Sequence, residues 1–128
     1  MTSRAAALAQ LERLARLKSD LEMRRFSAYR AHVKAAEERI AAIRDDLQAI
    51  HAAPAAFSVA EARLANALAG ERTRALLRAE ADLRQMLPGF EAARALAKRE
   101  FGRVEVLKTL GQDAAKAARD RAERKLRP

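Results

Sequence analysis

The sequence predicts an all-α chain, a long antiparallel two-helix coiled-coil hairpin, and three observations carry that reading. The 128 residues are rich in strong helix formers, with 33 Ala, 20 Arg and 16 Leu against 4 Gly, 3 Pro and 4% aromatics. Apolar residues recur at steps of three and four over two long stretches. One turn-forming stretch, around Pro54, separates those two stretches. The length fits a single domain.

Helix one is expected over about residues 3–50, where neither Gly nor Pro occurs. Its apolar positions are Leu11, Leu14 and Leu21, then Phe26, Tyr29, Val33, Ala36, Ile40, Ile43, Leu47 and Ile50. From Phe26 onward the steps alternate three and four, the pattern of a coiled-coil seam. Between Leu21 and Tyr29 the step is eight, which reads as a one-residue slip of phase. The mean repeat from Leu11 to Leu47 is then about 3.6, and a repeat of that size predicts little supercoiling. Pro54 lacks a backbone donor and biases Ala53 away from the helical region, so the turn falls at residues 51–58.

Ser58-Val-Ala-Glu61 has the spacing of a capping box and starts helix two, over about residues 59–126. Its spine falls at sevens through Leu76, Leu83, Phe90, Ala97, Val104, Gly111 and Ala118, flanked by Leu87, Phe101, Leu107 and Leu110. The spine keeps phase across Pro88-Gly89, where an interior proline costs about 3 kcal/mol. Helix two is therefore either kinked or broken at that dipeptide. A short connection makes the helices antiparallel, and folding at Pro54–Ala55 pairs residues whose numbers add to about 110. Pro88 then faces Glu22 and Met23, level with the slip in helix one. Ser3 then lies beside Leu107, and residues from Lys108 onward project past the pair.

Several function classes lack the residues they need. There is no cysteine, and His32 and His51 are too far apart to share a metal cage or form a nucleophile–base pair. The doublets Glu37-Glu38 and Asp45-Asp46 diverge by about 100° on a helix and cannot converge on one atom. All four glycines are isolated, so no phosphate-cradling loop is formed. The reading is of a non-enzymatic chain with no catalytic residue, no metal and no cofactor. Met1–Leu17 lacks the apolar core of a signal peptide, and no run reaches the length of a membrane span, which points to a cytoplasmic protein.

The net charge is +9, divided as +3 over residues 1–50, +1 over 51–88 and +5 over 89–128. The excess gathers at the open end of the hairpin, where Lys116, Arg119, Arg121, Arg124, Lys125 and Arg127 meet only Asp120 and Glu123 in the last 15 residues. Such a tail can follow phosphates, but base-stacking aromatics are missing, because Tyr29, Phe26, Phe90 and Phe101 fall on the seams. Glu12–Arg16, Asp20–Arg24, Glu80–Arg84 and Asp120–Arg124 have the spacing of solubilising helix pairs. Phe57, just before the cap, is either a hydrophobic staple or an exposed anchor for a partner. A two-helix core is thin and gains stability from a partner or from a second copy as a homodimer.

The segment Met23-Arg-Arg-Phe-Ser-Ala-Tyr-Arg30, leading into the Phe26–Ile50 seam, and the segment Arg99-Glu-Phe-Gly-Arg-Val-Glu-Val-Leu-Lys-Thr-Leu110 with its Arg-rich continuation resemble the FliJ/YscO-type proteins. These are the central stalks of flagellar and virulence type III export ATPases. The resemblance is one of length, pattern and charge over nearly the whole chain. It implies a non-catalytic stalk or adaptor whose helical ends enter an ATPase hexamer while another surface meets export-gate or chaperone proteins. It also implies a place in the cytoplasm at the inner face of the membrane. On that reading the ring-contacting surface is Arg4, Arg13, Arg16, Lys116, Arg119, Arg121 and Arg124, with His51 to Phe57 as a secondary contact. The alternatives are a coiled-coil scaffold or chaperone gripping another protein's helix along the Phe26–Ile50 seam, and a basic nucleic-acid-binding protein.

Overall fold

A computed structural model describes residues 3–55 and 58–127. They form two helices, α1 (Arg4–Ala52) and α2 (Val59–Leu126), packed against each other as a helical hairpin, with no strand among the described residues. Each helix starts from a serine whose hydroxyl accepts an otherwise orphaned amide. Ala6 N–H donates to Ser3 Oγ at 3.1 Å, and Glu61 N–H donates to Ser58 Oγ at 3.1 Å. The second of these is the cap expected from the sequence. α2 runs unbroken through Pro88, which excludes a break there. Leu83 and Phe90, seven residues apart on either side of it, both stay half-buried on the seam.

The contacts divide the chain into two units, Ala28–Glu91, and Met1–Ser27 with Ala92–Pro128. The first of these holds an apolar core of Ile40, Ile43, Ala75 and Ala79, with Leu47, Leu76 and Leu83 packed against it. Val33 is buried as well. Ion pairs flank this core. Arg44 donates to Glu80 across the two helices at 3.2 Å, and Arg72 lies 3.6 Å from Asp46 while donating to Glu71 at 2.7 Å. The hydrogen bond and charge of Arg72 hold the Glu71 carboxyl below its ordinary value. The ring of Tyr29 lies against Gly89, where a Cβ would stand 3.0 Å from it.

In the second unit the seam has a different composition. Its buried residues are Ser19, Glu22, Ala97, Glu100 and Val104, while Leu11, Leu14, Leu17, Leu21 and Phe101 are exposed. The expected phase slip in α1 is therefore absent. The residues turned inward are Ala5, Leu8, Glu12, Ala15, Ser19, Glu22 and Phe26, at unbroken steps of three and four. They continue in phase with Val33, Ala36, Ile40, Ile43, Leu47 and Ile50. The repeat of inward positions is 3.5 rather than 3.6, and leucine is not what marks it in this unit. Tyr29 and Phe101, expected as core, are exposed.

The pairing register also differs from expectation. Lys18 meets Glu100, Tyr29 meets Gly89 and Asp46 meets Arg72, and the two numbers of each pair add to 118 rather than about 110. Pro88 is thus level with Arg30, not with Glu22 and Met23. Ser3 shares a groove with Ala114, Ala117 and Ala118 rather than lying beside Leu107. Extending the ladder to the turn places Val59 about two helical turns beyond Ala52. α2 therefore starts past the end of α1, and Val59 and Leu64 are exposed accordingly. A fold centred on Pro54 omits this overhang, which accounts for the error in register.

Three stability outcomes follow from this packing. Ile43→Ala, at a site 4% exposed, costs about 2–4 kcal/mol in urea denaturation followed by circular dichroism. Leu14→Ala, at a site 64% exposed, changes stability by no more than about 0.5 kcal/mol; the reverse order would refute the observed seam. Pro88→Ala restores an interior helical hydrogen bond at an exposed position and raises stability by about 2 kcal/mol in the same assay, the gain being trimmed by the freer unfolded chain.

Candidate functional site

The unit formed by Met1–Ser27 and Ala92–Pro128 contains 17 Lys and Arg against 8 Asp and Glu, whereas the unit Ala28–Glu91 contains 9 of each. The whole formal charge of +9 therefore resides in the first of these, and the other is neutral. Counting by helix conceals this, because the charged unit takes its residues from both ends of the chain.

At the centre of the charged unit is Glu100, the most buried large side chain, 1% exposed. Val104 and Ala97, at steps of four and three on α2, face the seam and carry Glu100 inward with them. A buried carboxylate persists only where cations and donors replace its lost hydration. Three side chains supply them: Arg103 Nη1 at 3.2 Å, Lys18 Nζ at 3.6 Å across from α1, and Arg99 Nε at 3.7 Å. All three cations keep more than half their side chains in solvent, so only the carboxylate is desolvated. One helical turn along on α1, the buried Glu22 accepts from Arg25 at 2.9 Å. No buried side-chain nitrogen or oxygen among the described residues lacks a hydrogen-bond partner.

Beside Glu100 lies an open groove of about 770 Å³ between α1 and α2. Leu11, Leu14, Val106 and Leu107 supply its apolar surface, with Ala15 and Gly102 as its small residues. Lys18, Arg99 and Arg103 form its rim. An added Cβ at Gly102 would meet nothing within 4 Å, so the groove is open over that turn of helix. A second groove is lined by Ser3, Arg4 and Ala5 with Leu110, Asp113, Ala114 and Arg121 among others.

The sequence-derived surface residues distribute unevenly over this geometry. Arg4 and Arg121 are brought to one groove. Arg13, Lys116, Arg119 and Arg124 are exposed in the same unit. Arg16 is exposed and donates to Glu12 at 2.6 Å, a hydrogen bond that raises its pKa. His51 is exposed in the last turn of α1 and belongs to the other unit. Phe57 lies outside the described residues. Sequence reasoning passed over Lys18, Arg99, Glu100 and Arg103. The signal for Glu100 was present, since it stands three residues after Ala97 in a spine already identified at sevens.

Among the described residues no group of three or more His, Asp or Glu is arranged to hold a metal ion, and no helix is long and apolar enough to cross a membrane. Comparison with protein families, with curated proteins and with solved structures finds no match for this chain.

The Glu100 cluster makes a direct prediction. Because its cations are solvated, Glu100→Leu releases them to water and adds apolar burial, leaving stability unchanged or higher by about 1 kcal/mol. Glu100→Lys buries a fourth cation among three and costs on the order of 3 kcal/mol. Thermal unfolding of both variants checks the pair, and equal losses in the two would contradict this account of the cluster.

Proposed function

We propose that this chain is a non-enzymatic helical adaptor of the FliJ/YscO stalk type, which engages an export ATPase through the unit formed by its two helical ends. The observation that carries the reading is the confinement of the +9 charge to that unit. A narrow helical pair can enter a ring, and cationic side chains steer it to acidic loops and fix its register there. Arg4 and Arg121, which share a groove, are the central pair of this contact, with Lys116 and Arg119 before Arg121 on α2 and Arg124 after it. Fewer long-range steering contacts arise from the neutral unit, which serves as a packed helical extension for other export components.

The test is ATP hydrolysis and hexamer formation by a purified type III export ATPase with and without the full chain. The expected result is stimulation of both, reduced about tenfold by Arg4→Glu with Arg121→Glu while circular dichroism is unchanged. Absence of any effect on hydrolysis or assembly would overturn the stalk reading.

A further inference from the structure

The groove beside Glu100 combines three features. Leu11 and Leu14 are 50% and 64% exposed, although leucine is the residue most expected on a helix–helix seam. They belong to one stripe of α1, at the spacing 11, 14, 18 and 21 that a third helix would cover. The wall opposite is Val106 and Leu107 of α2, and Gly102 leaves room for close approach of a backbone. The rim is cationic, with Lys18, Arg99 and Arg103 sharing the single carboxylate of Glu100, itself buried beneath them.

We infer that this groove is the docking site for an amphipathic helix of a partner protein, a helix whose leucine-type row is flanked by Asp or Glu. Charge selects this occupant over a second copy of the chain. Two copies meeting through this face would oppose two units of +9, with cations along both rims. An acidic helix instead places carboxylates against Lys18, Arg99 and Arg103 while its apolar row covers Leu11, Leu14 and Val106. The inference deepens the adaptor reading and rests on it, because it names the surface and the chemistry by which the charged unit holds a partner.

The probes are two synthetic peptides of about three heptads with the same leucine row, one flanked by Glu and one by Lys, titrated by fluorescence anisotropy into the full chain at about 150 mM salt. The Glu-flanked peptide is expected to bind about tenfold or more tightly than the Lys-flanked one. Leu14→Glu weakens it about tenfold, whereas Leu77→Glu, at an equally exposed leucine of the neutral unit, changes it by less than about twofold. Lys18→Gln with Arg103→Gln narrows the difference between the two peptides, and circular dichroism verifies that every variant is folded. Equal binding of the two peptides, no binding, or equal losses from Leu14→Glu and Leu77→Glu would overturn the inference. So would a dimer in sedimentation equilibrium that Leu14→Glu dissolves, since a second copy would then be the occupant. The assay contains no ATPase, so failure of the stalk reading and failure of the groove are scored separately.

Discussion

Two helices that pack only on each other bury about two residues in every seven, and the phase of that stripe governs everything else in this protein. In the unit Ala28–Glu91 the stripe is occupied by Val33, Ile40, Ile43 and their partners, whose burial contributes about 1.5–3 kcal/mol per large side chain. α1 carries no glycine or proline between Arg4 and Ala52 to interrupt its phase. The strongly apolar stretch therefore sets the facing of the weaker one, and the same count of threes and fours brings Glu12, Ser19 and Glu22 to the seam of the other unit. Their presence there is a consequence of helix continuity, and Glu100 with its three cations is how α2 meets that polar stretch.

Where hydrophobicity and phase coincide, the sequence alone is a sound guide to the fold. The run from Val33 to Ile50 and the spine through Ala97 and Val104 face inward as their spacing implies, and Ser58 caps α2. Where the two part, reading leucine as seam fails. Leu11, Leu14 and Leu21 look like an apolar row displaced by a slip, because a Glu or a Ser at an inward position gives no hydrophobic signal. The register error has another origin. Residue count fixes where the turn lies, but the two-turn overhang of α2 depends on how far the turn travels along the helix axis, which composition does not encode. The candidate surface was legible only in part: clustered C-terminal cations are visible in one dimension, whereas Lys18 joining Arg99 and Arg103 requires the pairing of α1 with α2.

The same pairing turns a diffuse charge excess into a local one. Along the chain the surplus is spread over both termini, at +3 and +5 in the outer segments. Pairing the ends places all of it in one unit, where Lys18, Arg99 and Arg103 gather round the single carboxylate of Glu100. Charge of this size repels like-charged surfaces and attracts acidic ones. The neutral unit, with 9 cations and 9 carboxylates, experiences no comparable bias.

The exposed leucines then follow from a competition between burial and helix continuity. Burying Leu11 and Leu14 on the seam would require α1 to lose one residue of phase before Tyr29, a rotation of about 100° that an unbroken helix accommodates only by opening hydrogen bonds. The helix keeps its bonds, and each leucine left half-exposed forgoes on the order of 1 kcal/mol of burial. Part of that loss is gathered on one face. Leu11, Leu14 and Leu21 share one stripe, and the first two share a groove with Val106 and Leu107, so a single covering helix would recover most of it at once. The polar seam beneath has its buried polar atoms paired, and Leu11 and Leu14 stay exposed beside the cationic rim.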